Sequence, residues 1–169
     1  VASEEVVDLF DEQGRRVGTA PRRNVRRDNL RHGATGIAVV NGAGEVFVHR
    51  RADDKDVYPG RWDFLAGGVL QHGERPEESA ARELSEELGI TGAALHPLGE
   101  GDYADDATSY HAFLYLVRWD GEVSFTDHEV AEGGWWTVEL LRERIQLSDW
   151  SFMPDSVALM GHRLDELTP

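Results

Sequence analysis

The chain contains no cysteine. That excludes a disulfide framework, a thiolate zinc site and a cysteine nucleophile. No apolar run approaches the roughly 18 residues needed to cross a membrane, so a spanning helix is excluded as well. The opening Val1-Ala2-Ser3-Glu4-Glu5 has neither a basic region nor an apolar stretch. With the missing cysteines, this sets the expectation of a cytoplasmic protein without a secretory leader. Positive charge is scarce: 17 Lys and Arg against 32 Asp and Glu leave a net charge of -15. A chain so acidic repels a nucleic-acid backbone, which excludes polymeric nucleic acid as the expected partner.

What is present is ordinary for one soluble domain: 169 residues, 40% hydrophobic, mean hydropathy -0.46. That length buries a substantial core without staples. The few cations are uneven, with Arg15, Arg16, Arg22, Arg23, Arg26, Arg27 and Arg31 crowding the first fifth of the chain. A solvated helix face is the plainest account of them; extra phosphate binding or a subunit interface are the alternatives.

Periodicity predicts an N-terminal hairpin through Val7, Leu9 and Val17, turning at Gln13-Gly14, and then a short helix or basic loop over Arg22 to Leu30. A buried strand at Thr35 to Val40 and a second at Glu45 to Arg50 are read as a hairpin around Asn41-Gly42-Ala43-Gly44. A loop follows at Ala52 to Gly60, then a short strand at Trp62 to Leu65. Pro76 to Leu88 is strongly helical, with proline at the first position, acids in the first turn and Gly89 as the stop. Further strands are expected at Ala94 to Gly99, Ser109 to Trp119 and Gly133 to Thr137, with helices at Val138 to Ile145 and Asp155 to Glu166. The expected architecture is α/β, a mixed sheet with helices on its faces. It forms a single domain over 1–169: an extension at 1–33, a core at 34–150 and a C-terminal helix at 151–169.

On the Pro76–Leu88 helix, a step of 100° per residue places Glu83, Glu86 and Glu87 on one narrow face, and Ala80, Ala81, Leu84 and Leu88 on the adjacent arc. Like charges at such spacing cost a few tenths of a kcal/mol per pair, and Glu86 and Glu87 also sit at the negative end of the helix dipole. A hard divalent cation, Mg²⁺ or Mn²⁺, would remove both penalties. A solvated acidic face is the bland alternative.

The surrounding residues favour the metal. Gly68, five residues, Glu74, seven residues, then Arg82-Glu83-Leu84-Ser85-Glu86-Glu87-Leu88-Gly89-Ile90 fill every specified position of the Nudix motif. Arg50-Arg51, Tyr58 to Asp63 and Ala66-Gly67-Gly68 also resemble that family, over roughly Ala34 to Trp136. The resemblance implies an α/β/α sandwich and metal-dependent hydrolysis of a nucleoside diphosphate derivative or related organic diphosphate by water attack at phosphorus. It makes Glu83, Glu86 and Glu87 metal ligands, joined by the backbone of Gly68, with Glu86 the candidate general base. Glu74 and Arg82 would pair to orient loop and helix. Arg50, Arg51 and Lys55 are candidate contacts for substrate phosphate. Glu129 resembles a loop acid that in some members supplies a base or a further ligand. A small-molecule diphosphate is the expected partner, and a homodimer is compatible with the family.

Two other readings stand beside this one. Leu30 to Ala34 and the N-terminal hairpin resemble the isopentenyl diphosphate isomerase branch of the superfamily, but Gly67 falls where that chemistry needs a cysteine and Val69 where it needs a histidine. A non-catalytic ligand-binding module would be expected to have lost the motif glutamates, which are intact here.

Overall fold

The computed structural model describes residues 4–147 and 150–168. The outermost ends of the expected extension and C-terminal segment, and residues 148–149 of the expected core, lie outside these. The elements run β1 (Val6–Phe10), β2 (Arg16–Pro21), α1 (Arg22–Asp28), β3 (His32–Val40), β4 (Glu45–Arg51), β5 (Trp62–Asp63), α2 (Pro76–Leu88), β6 (His96–Ala104), β7 (Ser109–Arg118), β8 (Val130–Thr137), α3 (Val138–Gln146) and α4 (Pro154–Met160).

β3 is the axis of the molecule. All nine of its residues are buried, and it pairs in parallel with β7 along its whole length, while β7 continues antiparallel to β6. Its other edge is shared by three segments. β1 meets it at His32 and β4 at Val40. Between them the extended segment Ala66–Val69 docks through bridges to Ile37 and Ala34. β3 and β4 were expected as a hairpin, yet they share only this last register position. Right-handed twist and the intervening 66–69 segment part them, and β4 pairs with β8 over seven positions instead.

Alternation along β3 divides the core between two faces. Ile37 and Val39 pack with Ala80, Leu84 and Leu88 of α2, whereas Ala38 and Val40 pack with Leu141 of α3, Met160 of α4 and Leu164. Helices therefore cover both faces of a mixed sheet, as the apolar patterning predicts. Ala81 departs from the expected packing arc and is exposed, because the buried apolar stripe runs through Ala80, Leu84 and Leu88. The helix expected over Asp155 to Glu166 is also interrupted. α4 stops at Met160, and after a turn at Gly161-His162 a short 3-10 segment forms at Leu164–Glu166. In that break the Arg163 guanidinium donates to the Leu98 carbonyl at 2.8 Å, an anchor that a continuous helix would carry away.

Candidate active site

α2 positions the site. Its buried apolar stripe fixes the helix's rotation about its axis, and that rotation separates the three motif glutamates expected to share a face. Glu83 and Glu87, one turn apart, point inward and are buried, while Glu86 is exposed. A third acid, half-buried, comes from the opposite side. Glu129 is presented by a loop in which His128 takes a left-handed φ of 64° and the Asp127 carboxylate accepts from Glu129 N–H. Carboxylate oxygens of Glu83, Glu87 and Glu129 lie within 4.8 Å of one another.

Room for this cluster is made by a missing side chain. A Cβ on Gly68 would come within 2.5 Å of the Glu83 carboxylate. The Gly68 carbonyl accepts from Thr35 N–H at 3.0 Å, which ties the 66–69 segment to β3 beside the acids. The neighbouring Gly67 sits at φ 142°, and a Cβ there would fall 2.0 Å from the Thr35 carbonyl oxygen, so this position admits no side chain of any kind.

The electrostatics of the cluster are unfavourable as it stands. Burial, then the charges of Glu83, Glu129 and Asp63, push Glu87 well above the ordinary carboxylate range against the pull of Arg51, and no described residue donates a hydrogen bond to it. Glu83 is raised too, by burial against the pull of Arg82. Compensation is partial: Arg82 Nη1 donates to Glu83 at 3.0 Å, and Lys55 Nζ lies 3.2 Å from Glu129. Three hard oxygen donors converging with this little cation nearby match the ligand chemistry of a divalent ion.

Arg82 and Glu74 form the expected bidentate pair, Nε to Oε1 at 2.8 Å and Nη2 to Oε2 at 3.1 Å. Burial works against the Glu74 charge, but the Arg82 contact and the Gln71 N–H hold its carboxyl below the usual range. The same guanidinium reaches Glu86 at 3.3 Å, so one cation organises the loop, the helix and the rim acid.

The cluster opens into a cavity of about 310 Å³. Of the expected phosphate contacts, Arg51 and Lys55 line it and Arg50 does not. Arg50 instead engages Asp53 and Glu132, because alternation on β4 turns successive side chains to opposite faces. Arg51 donates to the carbonyls of Val57 and Tyr58 at 2.8 and 3.3 Å, holding the loop in which Tyr58 adopts a left-handed φ of 50°. The Tyr58 hydroxyl is buried along this cavity without a hydrogen-bond partner among the described residues.

Two groups of cavity residues were not singled out as site residues in the sequence, although the first belongs to the arginine-rich segment for which phosphate binding was one alternative. Arg22 and Arg26, spaced one turn apart on α1, face inward. Burial and the nearby charges of Arg22 and Arg51 depress Arg26, while Asp56, 3.0 Å away, supports its charge. The i, i+4 spacing was the available signal; which face pointed inward was not. The rest of the arginine-rich segment does resolve into ion pairs: Arg15 with Asp11, Arg16 with Asp8, Arg23 with Glu4, Arg27 with Asp28, and Arg31 with Asp102. The second group is Asp63, Tyr110, Asp155 and Ser156 on the wall formed by β5, β7 and α4. An acid within the apolar run Trp62 to Leu65 was its signal. Trp135 and Trp136 do not line the cavity; they pack against Phe47 and Trp62 respectively. His32 and His49 are buried, which lowers each to about 4 and leaves them neutral packing groups.

Comparison with known proteins places this geometry. The NUDIX domain family profile matches residues 30–156. The Nudix hydrolase orf19 of Rhodococcus erythropolis is 40% identical, over 94% of this chain and 91% of its own length. The Nudix hydrolase YfcD of Escherichia coli K12 is 37% identical, over 95% and 87%. The crystal structure of DR0079 from Deinococcus radiodurans matches with a TM-score of 0.78 at 25% identity, covering 96% of this chain and 99% of that one.

Proposed function

The chain belongs to the NUDIX domain family and is a Nudix hydrolase of the α/β/α-sandwich fold; from that premise we propose that it cleaves a diphosphate linkage in a nucleoside diphosphate derivative or related organic diphosphate, with Mg²⁺ or Mn²⁺ bound. The observation that carries this reading is Glu87, a buried carboxyl that accepts no hydrogen bond from the described residues, whose oxygen lies within 4.8 Å of those of Glu83 and Glu129.

Nudix hydrolases generally use divalent cations. Here Glu83, Glu87 and Glu129 would hold the ion, with the Gly68 backbone beside them. When bound, it would neutralise the acids, favour an anionic diphosphate beside them and make water a better nucleophile. The chain's own residues supply the rest. Arg82, locked to Glu74, keeps α2 and the preceding loop in register. Glu86, on the cavity rim and apart from the buried cluster, takes the proton of the attacking water. As the bond from water oxygen to phosphorus forms and the bridging P–O bond breaks, the departing phosphate carries the anhydride's electron pair. Arg26 and Arg51 lie where they counter that charge. The N-terminal hairpin, α1 and α4 all contribute to the loop or the cavity, so the enzyme works as one domain.

The test is hydrolysis by the purified chain in Mg²⁺ against a panel of nucleoside diphosphate derivatives, followed by phosphorus NMR. Release should require the metal and be lost in Glu83→Gln and Glu87→Gln. Release unchanged in both variants would overturn the assignment. The isomerase reading is disfavoured by Gly67, whose position has no space for a thiol-bearing side chain. Metal-dependent turnover separates the enzyme from a non-catalytic binding module.

A further inference from the structure

The loop at 52–60 is held mainly by polar contacts. None of its residues is fully buried or belongs to a hydrophobic cluster of the core. Asp56 pairs with Arg26 of α1 at 3.0 Å, and Arg51 donates to the Val57 and Tyr58 carbonyls. Ala52 N–H donates to the Glu129 carbonyl at 2.9 Å, while the Ala52 carbonyl accepts from Lys55 N–H at 3.4 Å and from Gly60 N–H at 3.3 Å. Against these contacts stand the left-handed φ of Tyr58, 50°, and its buried hydroxyl, which has no partner among the described residues. A segment with this balance sits at the low-stability end of a fold, so a single contact decides how firmly it is held.

One contact of the loop reaches the acidic cluster. Lys55 Nζ lies 3.2 Å from Glu129 Oε2, and Glu129 is one of the three acids whose oxygens converge within 4.8 Å. The ammonium is a compact charge on a flexible stem, so it can withdraw from that carboxylate by side-chain rotation. A divalent ion on the same acid attracts the carboxylate twice as strongly as the ammonium does at equal distance, and it repels the ammonium. Arg82 is differently placed. It is locked to Glu74 by two hydrogen bonds and reaches Glu83 with a third, so leaving the cluster would break the pair that joins loop and helix. Of the two cations that pair with these three acids among the described residues, Lys55 is therefore the one able to yield.

We propose that Lys55 is a tethered counter-ion of the acidic cluster: it contends with the divalent ion for Glu129, and where the ion prevails the 52–60 loop loses its side-chain tie to the site. The inference rests on the reading of Glu83, Glu87 and Glu129 as metal ligands and adds a regulation of that site. Because coupling is reciprocal, the tie that steadies the loop also lowers the affinity for the ion. Metal loading is thereby linked to the mobility of one wall of the cavity, which Lys55, Val57 and Tyr58 line. A lysine that merely oriented Glu129 would act in the opposite sense, since its loss would leave the acid less well placed and weaken metal binding.

The experiment titrates the full chain with Mn²⁺, read by electron paramagnetic resonance, in the wild type, Lys55→Met and Arg22→Gln. Lys55→Met keeps the stem and removes the charge, and it should bind Mn²⁺ about tenfold more tightly, within the usual range of such couplings. Arg22→Gln removes a cavity cation that pairs with Glu5 rather than with the cluster, and should change the affinity far less. Hydrogen exchange of the wild type supplies a second measurement that needs no variant. Saturating Mg²⁺ should speed exchange severalfold at the amides of positions 55 and 60, both bonded to the Ala52 carbonyl. In Lys55→Met that acceleration should disappear. Weakened affinity in Lys55→Met, an equal gain in Arg22→Gln, or exchange at positions 55 and 60 that Mg²⁺ leaves unchanged or slows would overturn the proposal. Mn²⁺ bound equally by wild type and Lys55→Met would sink the counter-ion and leave the metal site standing. No Mn²⁺ bound by either would sink both.

Discussion

Glu87 is a carboxyl placed where its charge is disfavoured, and its titration follows from that. Its ordinary value is 4.5 and its folded value stands well above it, so between the two the folded chain binds more protons than the unfolded one. Stability of the metal-free protein therefore falls as pH rises through that window. Asp63 acts in the same direction from 3.8 to about 7. His32 and His49 act oppositely: lowered from 6.5 to about 4, they remove stability as pH falls through that range. Without metal, Glu87→Gln should melt above the wild type near neutral pH, by about 2–4 °C for each kcal/mol recovered, with the gap closing toward pH of about 4. Saturating Mg²⁺ should raise the wild type and leave the variant nearly unmoved; scanning calorimetry across pH reads both. Gly67 supports a different comparison. At φ 142° with the Thr35 carbonyl 2.0 Å from any added Cβ, Gly67→Ala should cost more than the ~1–3 kcal/mol of a strained backbone alone. Gly73→Ala, at φ 75° with nothing within 4 Å, should cost only about 1–2 kcal/mol in urea unfolding.

At the scale of elements, α2 shows what was legible in the sequence and what was not. Its bounds agree with the sequence reading, because proline at its start and glycine at its stop are local signals and Gly89 takes the left-handed cap they imply. Angular spacing alone, however, grouped Glu86 with Glu83 and Glu87. The direction of a helix's buried face depends on what it packs against, and the sheet lies under Ala80, Leu84 and Leu88, which carries Glu86 to the rim. Glu129 was legible through the family resemblance as a candidate base or further ligand but not from spacing, since its approach to α2 is made by β8 pairing with β4 some eighty residues earlier in the chain. Asp63 and Ser156 meet for the same reason, through a contact distant in sequence. If the packing stripe sets the height of the acids, Leu84→Ala should remove about 2–5 kcal/mol of stability. It should also weaken Mg²⁺ binding in calorimetric titration, although Leu84 touches no ligand. A loss of stability with unchanged metal affinity would show that α2 keeps its position without that contact.

Over the whole molecule, the segment that looked like an appendage reaches the catalytic loop. Asp8 of β1 is buried, and its carboxylate accepts from His72 Nδ1 at 2.6 Å, from Gly73 N–H at 2.9 Å and from Arg16 Nε at 2.9 Å. Arg16 in turn donates to the Glu74 carbonyl. Glu74 holds Arg82, and Arg82 holds Glu83 and Glu86. A chain of polar contacts thus runs from the hairpin through the 71–74 loop to the acidic cluster, while α1 from the same segment sets Arg22 and Arg26 into the cavity. In a molecule with a net charge of -15, those arginines also make this side of the cavity locally cationic. The two contributions separate by mutation. Asp8→Ala removes the loop's anchor without touching the cavity and should lower kcat by about 10–100-fold, the range for groups that orient ligands from behind, with KM little changed. Arg26→Gln removes charge from the cavity wall and should raise KM, more so at low ionic strength, where attraction is least screened. Steady-state kinetics at two salt concentrations distinguish them, and an Asp8→Ala enzyme with undiminished kcat would mean that the loop holds its geometry without the hairpin.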